Sequence, residues 1–248
     1  MKKNVLPRIR FLRTTKLIQT CIYYLGKLVF AHTKVLVRGA CHLEALRDNA
    51  IFAPNHAHEL DSIVVCLALD VAGTLHDRLP LFFMSREKEF YGDMGFFKAW
   101  LYGGLLFRMC GAYPVTPKKA RTEETRKNTL RAHRSLLRSR RSVVVFPEGT
   151  RTETGAFLPA KAGVAILSEQ SGIPIVPVAI EGTFGISFSD FLRGRKTVRV
   201  IFGEPIHCHA LGDTPADTLP LGKEEYLKKA SLVLSRVRML LERRAQEE

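Results

Sequence analysis

Residues 50–61 read AIFAPNHAHELD, an apolar run followed directly by a polar loop. Short apolar runs that end at turn-forming residues are typical of buried strands. In an α/β sheet, functional groups collect in the loops that follow the carboxyl ends of such strands. This stretch therefore predicts a buried strand that brings His56 and Asp61 to the edge of a sheet.

The spacing of His56 and Asp61 limits where each residue can lie. On one continuous helix, five residue steps would place the two side chains about 140° apart. We therefore expect His56 in the loop and Asp61 in the first turn of the next helix, where its carboxylate can orient the imidazole as a base. Such a base could take the proton from a hydroxyl that attacks an acyl carbonyl. Two alternatives remain: Asp61 as a helix N-cap, and His58 as the base.

A second polar loop, FPEGTR at residues 146–151, follows a run of three valines. Gly149 permits close approach of the backbone to a ligand, Thr150 adds a hydroxyl, and the guanidinium of Arg151 matches phosphate oxygens. These groups predict a site for a phosphate or phosphoester head. The alternative is a surface turn in which Glu148 and Arg151 pair with each other.

Apolar runs alternate with stretches of helical periodicity along the chain. We predict strands over residues 35–37, 51–53, 81–83, 143–145, 175–178 and 198–201, and helices over residues 62–71, 122–138, 161–171 and 223–244. This alternation predicts an α/β fold with a single sheet flanked by helices. Pro177, inside one predicted strand, indicates that this strand lies at an edge or contains a bulge.

The composition narrows the classes of partner. A chain of 248 residues can bury a substantial core as one domain. Its five cysteines show neither a Cys-x-x-Cys pair nor zinc-type spacing, which favours reduced thiols. The net charge of +14 predicts a polyanionic neighbour such as nucleic acid, anionic lipid or an acidic carrier.

The N-terminal segment indicates which polyanion is expected. Several lysines and arginines precede residues 17–30, whose apolar residues recur at helical spacing. The stretch is shorter than the roughly 20 apolar residues of a membrane span, and Lys27 interrupts it. We predict that residues 1–33 form a basic amphipathic helical segment that associates with an anionic membrane surface. A helix packed on its own core is the alternative, and no convincing cleavage site supports a signal peptide.

Three sequence segments follow one another along the chain: Asn55 and His56 with Asp61, then FPEGTR at 146–151, then GIPIVPV at 172–178. In order and spacing they resemble the glycerolipid acyltransferase family that includes the 1-acylglycerol-3-phosphate acyltransferases. The resemblance runs from about Val35 to Ile206. It implies that residues 34–248 form an acyltransferase domain.

The resemblance also implies roles for individual residues. His56 would be the general base and Asp61 its orienting partner. The acceptor's phosphate side would be held by Glu148, Gly149, Thr150 and Arg151, and Lys161 also fits the family's pattern. Pro174 would help to shape the acyl or acceptor pocket. No metal and no bound cofactor is implied.

One position departs from the family's pattern. Members commonly carry an arginine shortly after a strand like Gly111–Val115, where this chain has Thr116-Pro117. A lysine from the following residues would supply charge but not the bidentate fork of an arginine. The identity of the acceptor headgroup therefore stays open. The aromatic tract at residues 94–107 is predicted to be part of a membrane face or acyl entrance, or else a buried helix.

The resemblance implies a peripheral or monotopic membrane enzyme on the cytoplasmic side. Such an enzyme would transfer an acyl group from acyl-CoA or acyl-carrier protein to the hydroxyl of a lysophospholipid, with 1-acylglycerol-3-phosphate as the expected acceptor. A thioesterase, in which water replaces the acceptor, and a non-catalytic membrane-binding module are the alternatives. Nucleic acid is not expected as a partner, because the chain shows neither a zinc-finger pattern nor a Gly-rich RNA-binding strand signature.

Overall fold

The structure is a computed structural model that describes residues 9–29, 31–46, 48–86, 111–115, 122–211 and 221–246. In this part of the chain, seven strands form one mixed sheet in the order β1-β7-β6-β2-β5-β3-β4. The strands are β1 (Val35–Arg38), β2 (Ile51–Pro54), β3 (Phe82–Arg86), β4 (Ala112–Val115), β5 (Val143–Val144), β6 (Ile175–Glu181) and β7 (Val198–Phe202). Six of these overlap the strands predicted from apolar runs, and β4 coincides with the segment Gly111–Val115 that resembles a strand of the family.

Helices pack on both faces of the sheet. They are α1 (Ile9–Val29), α2 (Cys41–Glu44), α3 (Asp61–Val71), α4 (Leu75–Arg78), α5 (Glu123–Arg138), α6 (Gly163–Ser171), α7 (Phe188–Leu192) and α8 (Lys223–Gln246), with a 3-10 turn at Cys208–Ala210. The predicted α/β fold with a single sheet flanked by helices is therefore confirmed.

The direction of the strands determines which loops meet. Strands β2 to β6 are mutually parallel, whereas β7 runs antiparallel to β6 and is paired in parallel with β1. Because β2 lies between β5 and β6, the carboxyl ends of these three strands are neighbours at one edge of the sheet. The two polar loops singled out in the sequence both leave from this edge.

The central strand β2 is held by packing on its two faces. Ile51 and Ala53 belong to the apolar cluster formed with α5, α6 and α8, whereas Phe52 packs in the cluster that contains α3. All four residues of β2 are buried. Since full burial of a large apolar side chain contributes about 1.5–3 kcal/mol, this packing fixes the point at which the loop of His56 begins.

Pro177 does not mark an edge strand, because β6 lies between β7 and β2. Its carbonyl accepts the N–H of Gly203 (2.8 Å), just beyond the end of β7. Ile175, two residues before Pro177, exchanges two backbone hydrogen bonds with Ile206, three residues after Gly203. Three residue steps after β7 therefore lie opposite two residue steps in β6. Pro177, which has no N–H, thus lies just beyond the regular pairing of β6 with β7. The extra residue at this point resembles the predicted bulge.

Helix α1 buries polar side chains and exposes apolar ones. Thr15 and Gln19 are buried, and the amide of Gln19 both donates to the carbonyl of Leu81 and accepts its N–H. The exposed apolar residues of α1 are Leu17, Ile22, Tyr24, Leu25 and Leu28. The helix thus packs on the core through the buried side chains of Thr15, Gln19 and Tyr23, and it presents the apolar stripe away from the core. Among the described residues, no helix is both long and apolar enough to cross a bilayer.

The thiols of Cys21, Cys41, Cys66 and Cys208 are unpaired. Burial raises the pKa of the Cys66 and Cys208 thiols to about 12, so neither is a nucleophile near neutral pH. The aromatic tract at 94–107 and the Thr116-Pro117 pair lie outside the described residues.

Candidate active site

The structure brings His56 and Asp61 together, as their spacing predicts. His56 lies in the loop after β2, and Asp61 is the first residue of α3. Nδ1 of His56 lies 2.8 Å from Oδ2 of Asp61. The Asp61 side chain is fully buried, whereas the His56 side chain remains 18% exposed. A buried carboxylate therefore holds an imidazole that solvent and ligands can still reach.

The carboxylate of Asp61 also shapes the loop between the two residues. Its Oδ2 accepts the backbone N–H groups of Ala57 (2.7 Å) and His58 (2.8 Å). These donors precede α3, so Asp61 does not cap the helix in the way that an N-cap side chain does. Because the carboxylate acts as an acceptor, Nδ1 of His56 donates to it, so that Nε2 carries the lone pair in the neutral form of the ring.

His58 is not oriented as a base. Its Nδ1 accepts the backbone N–H of Leu60 (3.2 Å), so the ring folds onto its own turn. In the hydrogen bonds described for this loop, His58 contacts the Asp61 carboxylate through its backbone N–H and not through its ring. The geometry thus favours His56 over His58.

Glu148 is buried beneath the loop of His56 rather than directed at the surface. Its Oε1 accepts the N–H of His56 (2.9 Å), and its Oε2 accepts the N–H of Leu158 (2.7 Å). Burial raises the pKa of the Glu148 carboxyl, and the two backbone N–H bonds oppose that effect. Neither contact with an acceptor's phosphate nor the alternative pairing with Arg151 fits this position.

Further contacts fix the backbone and the ring of His56. The carbonyl of His56 accepts the N–H of Thr152 (2.9 Å), so the second loop holds both backbone polar groups of this residue. The Phe146 ring stacks on the imidazole with centroids 3.9 Å apart and planes inclined by 21°. Nothing in the residue pattern indicated a role for the Phe146 ring, although this residue opens the FPEGTR segment.

Asn55 is a second residue whose role the sequence did not reveal. Its Oδ1 accepts the N–H of Ile180 (2.7 Å), and its Nδ2 donates to the carbonyl of the same residue (2.9 Å). The amide side chain thus imitates a paired strand and ties the end of β2 to β6. The residue before His56 is thereby fixed to the sheet.

Arg151 and Lys161 provide cationic side chains at this edge. The backbone N–H of Lys161 binds the carbonyl of Pro147 (2.8 Å), which joins it to the FPEGTR loop. Gly149 adopts φ +70°, and a Cβ at this position would lie 3.2 Å from Cγ of Lys161, so glycine suits both the backbone and the space. Arg151 is exposed, with Nη1 3.4 Å from Oε2 of Glu59, and Thr150 beside it is partly buried.

Pro174 is not brought to this edge. Its carbonyl accepts the N–H of Ile51, at the start of β2, whereas His56 follows the end of that strand. At about 3.3 Å per residue, the two positions are separated by roughly 15 Å. Pro174, which is predicted to help shape the acyl or acceptor pocket, therefore lies at the opposite end of β2 from His56. Among the described residues, no three or more His, Cys, Asp and Glu side chains are grouped as metal ligands would be.

A sheet that presents an oriented histidine beside an arginine loop defines a candidate transferase site. Residues 34–181, which include both polar loops, match the family model described as Acyltransferase. Since this match covers more than half of the chain, the protein belongs to the acyltransferase family.

Individual relatives agree with this family. The 1-acyl-sn-glycerol-3-phosphate acyltransferase alpha of Mus musculus is 30% identical over 211 residues, which cover 77% of this chain and 62% of the relative. The chloroplastic 1-acyl-sn-glycerol-3-phosphate acyltransferase LPAT1 of Arabidopsis thaliana is 26% identical over 181 residues, 72% of this chain and 45% of the relative. The chain thus spans less than two thirds of the length of either relative.

A solved structure shows the same fold. The crystal structure of the 1-acyl-sn-glycerophosphate (LPA) acyltransferase PlsC from Thermotoga maritima aligns with a TM-score of 0.55 at 20% identity. The alignment covers 93% of this chain and 82% of that chain. At this level of identity, the similarity concerns the arrangement of the sheet and helices.

Proposed function

We propose that this protein transfers an acyl group from an acyl thioester to the free hydroxyl of a lysophospholipid. The observation that carries the proposal is the 2.8 Å contact between Nδ1 of His56 and Oδ2 of Asp61, beside the exposed Arg151 loop in a member of the acyltransferase family. From the names of the relatives we take 1-acylglycerol-3-phosphate as the acceptor and phosphatidate as the product. The donor is acyl-CoA or acyl-carrier protein.

In the proposed reaction, Nε2 of His56 takes the proton of the acceptor hydroxyl as its oxygen attacks the thioester carbonyl. The new C–O bond forms, the C–S bond breaks, and the leaving thiolate receives the proton from the imidazolium. Asp61 keeps Nδ1 protonated and stabilises the imidazolium while it exists. This sequence of steps conserves the proton and needs no covalent enzyme intermediate.

The acceptor's phosphate is proposed to lie against Arg151 and Lys161, the exposed cations on the loops beside His56. Gly149 allows the ligand to approach the backbone, and Thr150 adds a hydroxyl. Glu148, which the sequence assigned to the phosphate side, is proposed instead to position His56 from below. Its burial and its bonds to two backbone N–H groups support this change of role.

We further propose that residues 1–33 attach the domain formed by residues 34–248 to the cytoplasmic side of an anionic membrane. The exposed apolar stripe of α1 and the exposed Arg13 and Lys16 on the same helix support this arrangement, whereas Lys27 is paired with Asp70 (Nζ to Oδ2, 2.9 Å). Apolar residues flanked by cations are typical of helices that lie in the membrane interface. A lipid acceptor would then reach the site from the membrane surface.

Acyl transfer measured with a matched pair of histidine variants tests the proposal. Purified wild-type protein, His56→Ala and His58→Ala are supplied with labelled acyl-CoA and a panel of lysophospholipids in liposomes. We expect His56→Ala to lower the rate of diacyl product formation about 10²- to 10⁴-fold, the usual contribution of a general base. His58→Ala should keep most of the activity, because its ring is turned toward Leu60.

Equal rates for wild type and His56→Ala would contradict the assignment of the base. Release of free fatty acid without any diacyl product would instead identify a thioesterase. If acyl-CoA gives no turnover, the same panel with acyl-carrier protein donors decides between a second donor and a protein that only binds membranes. Melting temperatures of all three proteins establish that the variants are folded.

A further inference from the structure

A carboxylate lies beside the arginine that is proposed to bind the acceptor. Nη1 of Arg151 is 3.4 Å from Oε2 of Glu59, and the two side chains are 44% and 63% exposed. Glu59 belongs to the loop between His56 and Asp61, whereas Arg151 belongs to the FPEGTR loop. The acceptor site therefore contains one negative charge from the loop that carries the proposed base.

The backbone on both sides of this pair is fixed. Just before Glu59, the N–H of His58 is bound by the Asp61 carboxylate (2.8 Å), and just after Arg151, the N–H of Thr152 binds the carbonyl of His56 (2.9 Å). Neither loop can carry its charge away without breaking contacts that also hold His56. The two side chains thus extend from fixed backbone positions, and in this structure they meet at 3.4 Å.

The pair itself is weak enough for a ligand to open. Both side chains are exposed, and ion pairs of this kind contribute little to stability because water screens them. A phosphate that approaches Arg151 can therefore displace the Glu59 side chain, but it then lies within a few ångströms of a like charge. The second negative charge of a phosphate monoester increases that repulsion, whereas an ammonium group beside a phosphodiester is attracted to the carboxylate.

We propose that Glu59 is a specificity-determining residue of the acceptor site. Through its position against Arg151, it disfavours a lysophospholipid with a phosphate monoester head relative to one whose phosphodiester head carries an ammonium group. The inference rests on the acyl transfer proposed above and extends the acceptor class from lysophosphatidate to lysophosphatidylethanolamine. It addresses the headgroup that Thr116-Pro117 left open in the sequence.

The test compares kcat/KM for lysophosphatidate and lysophosphatidylethanolamine in neutral detergent micelles, which keep the surface charge of the lipid phase constant. Glu59→Gln should raise the ratio of the two values about fivefold in favour of lysophosphatidate, the size expected for one exposed charge contact. Glu59→Ala should change the ratio in the same direction. Glu153→Gln is the matched control, because it removes the same charge from an exposed position two residues beyond Arg151.

An unchanged ratio in Glu59→Gln, with both acceptors still used, would overturn the inference. So would an equal rise in Glu153→Gln, because the effect would then come from the net charge of the protein. In an Arg151→Gln background, the effect of Glu59→Gln should disappear, and its persistence would exclude a route through Arg151. If wild-type protein transfers acyl groups to no acceptor, the proposed function itself fails, which is a different result from an unchanged ratio.

Discussion

The backbone of His56 is held from two directions, and this is the main physical feature of the site at the scale of single residues. Glu148 accepts its N–H, and Thr152 donates to its carbonyl. Asp61 holds one ring nitrogen, and Phe146 covers the ring face. With its backbone, tautomer and ring plane all fixed, the proposed base would lose little freedom when a substrate arrives, which would lower the entropic part of the barrier.

Glu148→Gln tests whether Glu148 positions the proposed base, His56, or binds the acceptor. The amide nitrogen of glutamine would face a backbone N–H of either His56 or Leu158, so one hydrogen bond is lost and two donors oppose each other. We expect the free energy of unfolding to fall by about 1–3 kcal/mol. We also expect kcat to fall at least tenfold, with KM for the acceptor nearly unchanged. Steady-state kinetics and urea unfolding measure these quantities.

The kinetic pattern separates the two roles of Glu148. A higher KM for the lysophospholipid at an unchanged kcat would restore the direct contact with substrate that the sequence suggested. Glu153→Gln, on the same loop but exposed, should leave both kcat and stability close to wild type. Both substitutions convert a carboxylate to an amide, so a difference between the two variants reflects the burial of Glu148 and the exposure of Glu153.

Residue types and spacing alone were enough to predict the contact between His56 and Asp61, since five residue steps are incompatible with one helix. They could not show which way Glu148 faces, because a carboxylate after a strand suits either a ligand or a buried backbone N–H. The position of Pro174 relative to His56 could not be predicted for a different reason. It precedes its strand, and only the parallel pairing of β6 with β2 shows that it lies at the opposite end of the sheet from His56.

At the scale of elements, the strands were recognised from their β-branched composition, but their order was not. Sequence neighbours β2 and β3 are separated in the sheet by β5, which brings the two polar loops side by side. The orientation of α1 was also not evident from periodicity. Gln19 replaces strand pairing for Leu81, and together with the buried Tyr23 this long-range contact places the polar face of the helix on the core.

Helix α5 contains a buried titratable group that makes stability depend on pH. His133 is fully buried, and desolvation lowers its pKa from 6.5 to about 4, although its Nδ1 donates to the carbonyl of Thr129. Below pH 6.5 the unfolded chain therefore takes up a proton that the native state does not bind. The contribution of His133 to the free energy of unfolding should therefore be constant above pH 6.5. It should fall by about 3 kcal/mol between pH 6.5 and pH 4.

His133→Gln isolates the contribution of His133, because glutamine does not titrate but keeps an N–H that can donate to Thr129. Urea unfolding of wild type and variant is measured from pH 8 to pH 4. The difference between the two curves should be flat at the alkaline end and should decrease as the pH falls below 6.5. A difference that stays constant over the whole range would show that His133 is not the titrating group.

For the molecule as a whole, the net charge of +14 and the exposed apolar stripe of α1 both favour the proposed attachment to an anionic membrane surface. Because Thr15 and Gln19 face the core, the apolar stripe of α1 is on the protein surface. Contact of such a stripe with water is unfavourable. Exposed cations on the same helix would attract anionic lipid headgroups, each contributing about 1 kcal/mol near the membrane surface. The proposed site accepts a lipid, so attachment of the protein would also concentrate its substrate.

Membrane attachment through α1 predicts the behaviour of a triple variant. Leu17→Gln, Leu25→Gln and Leu28→Gln together remove the apolar contact and leave the net charge and the buried face of the helix unchanged. We expect binding to vesicles that contain phosphatidylglycerol to weaken about 10- to 100-fold, because each leucine loses part of the 1.5–3 kcal/mol of full burial. Sedimentation of the protein with vesicles measures this loss.

Helix α8 supplies the control for this experiment, since Leu232 and Met239 are exposed apolar residues of similar size. Leu232→Gln with Met239→Gln should leave vesicle binding unchanged if α1 alone contacts the membrane. An equal loss in this variant would show that α8 contributes to attachment or that exposed apolar area acts without regard to position. Full binding by the α1 triple variant would contradict attachment through the stripe, and the cations would then have to account for the affinity, which salt would abolish.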